Sequence, residues 1–199
     1  MGDPRRMKKK YDKPKHPWRG ERIEAEKKIL KNYGLKNKRE LWRMETILRV
    51  FRRQARRLQG LKTEQARKEE AQVLARLQRM NLLKEGSTLD DVLALKINHI
   101  LDRRLQTIVF RKGLTATVGQ ARQLIVHGHI AVGGSKVTAP SYLVERGEEE
   151  ELCFTPYSSM KDRPLVAREE PPKTKEAVEP VEEGPEARPE EPEGPKAEG

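Results

Sequence analysis

The sequence predicts an α+β chain. A basic N-terminal helical domain leads into a small module of two helices packed on a short antiparallel sheet, and a disordered acidic C-terminal tail follows. Three observations lead there. Apolar residues recur every three or four positions from about residue 21 to residue 126, the period of helices buried on one face. After Gly128 the period changes to two, and Gly133-Gly134 offers a tight hairpin turn. From Glu169 periodicity stops and the composition becomes Pro, Glu, Ala and Gly, with seven prolines.

Residues 1–20 mix Lys and Arg with Pro4, Pro14 and Pro17. Prolines without N–H donors among like charges predict an extended basic arm with no core of its own. Tyr11 and Trp18 punctuate it, and Trp18 is expected to pack on the chain's own helices. Residues 21–98 read as a helical domain. Its first helix begins near Glu21 and stops at Tyr33-Gly34, where glycine accepts a left-handed cap. A longer helix runs from about Lys38 to Gln59. Leu41, Met44, Leu48, Phe51, Ala55 and Leu58 form one seam along it, and Gly60 ends it. Thr63 caps a third helix with Ala66, Val73, Leu74, Leu77 and Met80 as its stripe. Gly86-Ser87-Thr88 is expected to close that helix and start "LDDVLAL", whose Asp90 and Asp91 complement the helix dipole.

Residues 99–156 read as the second unit. Asn98 is expected to cap a single helix, "HILDRRLQTIVFRK". Ile100, Leu101, Leu105, Ile108 and Val109 turn inward in it, and Arg103, Arg104, Arg111 and Lys112 point away or flank. Gly113 ends it. Thr117 and Gln120 make a capping box for "ARQLIVHG", with Ala121, Leu124 and Ile125 on the core face. "HIAV" and "KVTA" are the arms of a hairpin, with Ile130 and Val132 on one face. "SYLVE" and "ELCFT" are two further strands about a turn at Gly147. Cys153 is expected to be a small buried strand residue. Residues 157–168 form a return segment, and 169–199 form the tail, which cannot bury enough apolar surface to offset the entropy of ordering.

Charge narrows the function. The chain of 199 residues carries a net charge of +11, with 35% hydrophobic and 37% charged residues. The tail holds 11 acidic and 4 basic side chains; the preceding 168 residues hold 38 basic and 20 acidic. A solvated, ion-paired surface would balance its signs, so this excess points to a polyanion. "FRRQARRLQG" sets Arg52, Arg53, Arg56 and Arg57 on one and a half helical turns. No glutamate stands four residues on to pair them. Arginine's planar fork grips phosphate oxygens two at a time and stacks on bases. There is no apolar run of about 18 residues, no apolar segment after "MGDPRRMKKK" that would make a secretory signal, and one cysteine, which excludes an internal disulfide and a Cys-cluster zinc site. A cytoplasmic protein without metal or cofactor is expected.

The stretch "ARQLIVHGHIAVGGSK" admits three readings. As a phosphate loop it fails, because Gly134 stands where the lysine is needed and Lys136 comes too late. As a metal site it fails, because His127 and His129 leave zinc two ligands short. The third is a helix-turn-hairpin RNA surface. Here "RRLQTIVFRKG", "VGQARQLIVHGHIAVGGSKV" and "PSY" closely resemble the RNA-binding module named after small-subunit ribosomal protein four. Upstream, "HPW", "YGLKNKRELWR", "FRRQARRL" and "LDDVLALKINHILDRRLQTIVF" resemble the archaeal and eukaryotic form of that family. The resemblance covers about residues 10–165.

That resemblance implies a non-enzymatic constituent of the small ribosomal subunit. Such a protein binds ribosomal RNA early, holds a multi-helix junction, and lies near the messenger RNA entrance beside small-subunit ribosomal proteins three and five, with an effect on accuracy. Family positions that touch RNA map to Arg103, Arg104, Thr117, Arg122, Gln123, His127, Gly128 and His129. Charge and helix faces add Arg5, Arg6, Lys8, Lys9, Lys10, Lys15 and Arg19 in the arm. They also add Arg39, Arg43, Arg49, Arg52, Arg53, Arg56 and Arg57 on the long helix, then Arg111, Lys112 and Lys136. Three positions depart from the pattern: Val118 where arginine is usual, Gly119 where alanine is usual, and Gly133 where asparagine is usual. The alternative reading is a free RNA-binding chaperone or an accessory of an RNA-modifying enzyme. A catalytic domain would need more residues than the chain leaves over.

Overall fold

The computed structural model describes residues 9–160. Arg5, Arg6 and Lys8 of the arm, the end of the return segment, and the acidic tail lie outside the described residues. Among the described residues, seven helices and three strands follow one another: α1 Gly20–Asn32, α2 Lys38–Gln59, α3 Glu64–Arg79, α4 Leu89–Ala94, α5 Ile97–Asp102, α6 Leu105–Arg111, α7 Val118–Val126, β1 Ile130–Val132, β2 Ser135–Lys136 and β3 Cys153–Phe154. The sheet is antiparallel in the order β2-β1-β3, with Val132 opposite Ser135 and Ile130 opposite Phe154.

The long helix forms as its periodicity predicts. All six seam residues of α2, Leu41 to Leu58, are buried, and α1, α3, α4 and α5 pack around them. Asn37 caps α2 by accepting the Glu40 backbone N–H at 3.2 Å, and Thr63 does the same for α3 through Ala66. α1 turns off at Gly34, which has φ +57°. A Cβ there would stand 2.8 Å from Val118 Cγ1. Val118 is therefore the apolar wall against which this turn closes.

Two cores result. One is built from α1 to α5 and ends at Ile100 and Leu101. The other begins at Leu105 and joins α6, α7, the sheet, Val144 and Leu152. The change of core breaks the single helix expected over 98–112. Arg104 is extended, at φ −70° and ψ 140°, and bridges to Leu143. The Leu105 N–H donates to the Tyr142 carbonyl at 2.8 Å. Without that bend, one straight helix could not turn Leu101 and Leu105 into different interiors. Asn98 lies inside α5 and is exposed, so it is not the cap; the residue before the helix is Lys96.

Six further expectations are corrected. α3 stops at Arg79, well before Gly86, because Asn81 takes the left-handed conformation at φ 51°. The Leu82 N–H then reaches the Leu77 carbonyl at 3.0 Å, closing a Schellman turn. "KVTA" contributes only Lys136 to β2, and "SYLVE" makes one bridge to Arg104 in place of a strand. All of Ile130, Ala131 and Val132 are buried, since β1 is the central strand and is covered on both faces. Cys153 is exposed, because Leu152 takes the inward position beside it. Trp18 is 90% exposed and covers none of the described helices.

Candidate nucleic-acid interface

α2 is a rod of 22 residues, about 33 Å long at 1.5 Å per residue. At 100° per residue, Arg39, Arg43, Arg53 and Arg57 share the face opposite the buried seam, and Arg49, Arg52 and Arg56 flank it. Arg39, Arg43, Arg53, Arg56 and Arg57 are exposed. Among the described residues none of these five side chains has a hydrogen bond or an ion pair. Arg52 differs: half-buried, it donates to the Leu95 carbonyl and ties α2 to the end of α4. Arg49 pairs with Asp12 at 2.8 Å.

That pair belongs to a short docking of the arm on α2. Tyr11 stacks on Trp42 with ring centroids 6.1 Å apart. Lys9 sits 4.7 Å over the Tyr11 ring, and the Asp12 N–H donates to Thr46 Oγ1 at 3.1 Å. Lys10 and Lys15 remain exposed, and Arg19 pairs with Glu21 at the surface. The arm is thus laid along the helix by an aromatic anchor and one ion pair, with its lysines outward.

The second basic cluster is arranged otherwise. Glu40, in the first turn of α2, receives Arg122 through both oxygens, at 2.7 and 3.1 Å. Its Oε2 also accepts Arg104 Nη2 at 2.9 Å. Arg104 is 1% exposed, so it does not point outward as expected. Burial alone would raise the Glu40 carboxyl pKa; the hydrogen bond from Arg122 and the charges of Arg104 and Arg122 outweigh it and hold it below the usual carboxylate range. Arg103 pairs with Glu149 and is also part-buried. Next to this clamp, Gln106 Nε2 donates to the carbonyls of Gly34 and Val118, each at 3.0 Å. Glu40, Arg104, Arg122 and Gln106 therefore lock the two cores together. The Arg52–Arg57 cluster lies about 20 Å further along α2 from Glu40, so the two basic clusters do not abut.

The rim of the module is open. Lys112, Thr117, Gln123, His127 and Lys136 are exposed, and Arg111 pairs with Asp102. Thr117 and Gln120 form the expected capping box. The His127 and His129 rings lie 6.5 Å apart, and His129 Nδ1 is 3.1 Å from Ser158 Oγ. Gly128, at φ +77°, lets α7 stop and lets Lys136 lie across it, since a Cβ there would be 2.0 Å from Lys136 Cε. Glu40 and Gln106 were missed in the sequence. The one available signal was Glu40 following the cap Asn37 at three residues, and that signal describes a helix start rather than a partner 64 or 82 residues away.

Two family models match the chain. The "Ribosomal protein S4/S9 N-terminal domain" covers residues 5–102, and the "S4 domain" covers residues 103–150. The chain is 58% identical over 161 residues to a "Small ribosomal subunit protein uS4" of Methanococcus aeolicus, covering 80% of this chain and 91% of that one. It is 49% identical over 169 residues to the protein of the same name from Methanothermobacter thermautotrophicus, covering 85% and 99%. It is 52% identical over 165 residues to that of Hyperthermus butylicus, covering 83% and 94%.

Proposed function

This chain belongs to the uS4 family of small ribosomal subunit proteins, and from that premise we propose that it grips a multi-helix junction of ribosomal RNA early in subunit assembly. It is a structural, non-enzymatic, RNA-binding component of the small subunit. In the finer reading, residues 21–98 and 99–156 act as two RNA-binding units. The protein lies near the messenger RNA entrance beside small-subunit ribosomal proteins three and five, and its placement there affects accuracy.

The observation that carries the RNA reading is the arginine face of α2. Arg39, Arg43, Arg53, Arg56 and Arg57 stand on a helix whose opposite face is buried, and no described acid neutralises them. Their backbone is fixed before any ligand arrives, so binding carries no cost of ordering this helix. Phosphates accept their paired N–H groups, and bases can stack on the guanidinium planes. Lys112, Gln123, His127 and Lys136 extend the same chemistry to the rim of the module. Arg103, Arg104 and Arg122, already held by carboxylates, are better suited to fixing the angle between the units.

A filter-binding titration against small-subunit ribosomal RNA tests this. If six to ten phosphates are neutralised, affinity falls by roughly a thousandfold or more between 50 and 200 mM salt, taking duplex DNA as the guide. A nearly flat salt response contradicts the reading. Co-sedimentation with small subunits through a high-salt wash separates it from a free chaperone, which would be stripped away.

A further inference from the structure

The five arginines of the α2 face pair with no acid among the described residues, and a long run of acids lies further along the chain. Between Glu176 and Glu198 stand nine glutamates against two cations, Arg188 and Lys196. This run lies beyond both family models, the later of which ends at residue 150, so it is no part of the two matched domains. Besides prolines and alanines, its only apolar side chains are Val178 and Val181, so charge is what it offers a partner. A carboxylate asks of arginine what a phosphate asks: two oxygens set against the planar fork. Reach does not limit the encounter. Sixteen residues separate Met160, the last one described, from Glu176, and a chain of that length spans up to about 50 Å, more than the length of α2.

We propose that residues 176–198 are a built-in competitor of RNA, whose carboxylates contend with RNA phosphates for Arg39, Arg43, Arg53, Arg56 and Arg57. The inference rests on the reading of that face as an RNA site. A competitor on the same chain acts at an effective concentration of order millimolar, so even weak single contacts count. The competition lowers the affinity of every RNA that needs the face by one common factor. A ribosomal RNA junction with affinity to spare still binds, while weak, non-specific polyanions drop out. The salt response also becomes less steep, because a phosphate that displaces a carboxylate releases fewer counterions than one that lands on a free arginine.

The test keeps the full chain and replaces the nine glutamates of residues 176–198 with glutamine. The change is made in the natural background and together with Arg53→Gln, Arg56→Gln and Arg57→Gln. It leaves both cores untouched. Affinity for small-subunit ribosomal RNA is measured by filter binding at about 50 and about 200 mM salt. The neutral-tail chain is expected to bind at least about threefold tighter at the lower salt and to show the steeper salt slope. At the higher salt, screening shrinks the gain. In the triple-arginine background the gain is lost, because the groups competed for are gone. Equal affinity of the natural and neutral-tail chains at the lower salt overturns the inference. So does a gain of the same size in the triple-arginine background, which would be the tail's bulk charge acting at a distance. If the neutral-tail chain binds weakly with a nearly flat salt response, the RNA reading of the face fails and the inference with it. If it binds tightly and steeply but no better than the natural chain, the inference alone fails.

Discussion

Replacing Glu40 with Gln tests what holds the two cores together. The change keeps size, helix position and one acceptor oxygen, but removes the carboxylate that, among the described residues, pairs with Arg104 and Arg122. Breaking a fully buried ion pair costs about 3–5 kcal/mol, and an exposed pair about 0.2–1 kcal/mol. With side chains 1%, 16% and 25% exposed for Arg104, Glu40 and Arg122, this cluster lies nearer the buried limit. A glutamine oxygen still accepts one hydrogen bond, worth about 1 kcal/mol. The expected loss is therefore about 2–4 kcal/mol, or a melting point lower by roughly 5–15 °C for a chain of this size. The assay is thermal or urea unfolding, with Arg146→Gln as control. The Arg146–Glu85 pair is exposed on both sides, so that change should cost less than about 0.5 kcal/mol. The pH dependence has a definite sign. Glu40 titrates below its ordinary value of 4.5 in the folded protein. Its contribution is thus complete above that value and fades as pH falls through the lower folded-state pKa. Glu40→Gln should lack this acid-side loss. A variant within about 0.5 kcal/mol of wild type at pH 7, with an unchanged acid limb, would mean that apolar contacts and Gln106 hold the seam and the ion cluster is incidental.

Four other tests follow from the same geometry. Changing Arg53, Arg56 and Arg57 together to Gln keeps helix propensity nearly constant. It should weaken RNA binding by more than tenfold while moving stability by less than about 1 kcal/mol; affinity within about threefold of wild type would make this face structural. Arg52→Gln should instead cost stability, about 1 kcal/mol, through the lost bond to the Leu95 carbonyl, and a stability equal to wild type would refute that tie. Gly34→Ala forces an alanine to φ +57° and toward Val118, at about 1–3 kcal/mol, which urea unfolding reads directly; a neutral effect would mean the turn relaxes freely. Cys153 should react with a thiol reagent in the native protein, since it is exposed, and labelling only after denaturation would count against β3 as described.

Legibility followed the length of the pattern. α2 could be read to its ends because six apolar residues over 22 positions leave a single register. The capping box at Thr117 and the paired glycines at 133–134 were readable for the same reason, since their chemistry is local. The break at Arg104 was hidden, because residues on both sides of it keep the spacing of one helix and only the destination of Leu101 and Leu105 differs. Cys153 was misplaced because β3 is two residues long, too short for alternation to choose a face. Trp18 was given a partner on composition alone, and an indole in a proline-rich arm has no periodicity to aim it.

The acids carry what the bases concealed. In a body with 38 basic side chains against 20 acidic ones, an arginine reads as outward by default, and position alone cannot say which arginines are occupied. The scarcer carboxylates can. Glu40 binds Arg104 and Arg122 from the other core. Glu26, buried on α1, takes the Trp42 indole N–H at 3.1 Å and Lys38 at 2.9 Å from α2. Asp102 accepts the Tyr33 hydroxyl at 2.9 Å across 69 residues, and Glu149 holds Arg103 together with Asn81. These four acids close joints between segments apart in sequence, and the arginines that Glu40 and Glu149 take are withdrawn from the surface. What remains unmatched, including the arginine face of α2 and the module rim, is the charge available to a polyanion. A protein with so large a basic excess must spend its few acids on its own fold, since an acid placed on the arginine face would compete with every phosphate arriving there. The same logic separates the two mutant classes: loss of Glu40 should be felt in unfolding and loss of Arg53, Arg56 and Arg57 in RNA affinity. A variant set in which both readouts moved together would show that joint and surface are one cluster after all.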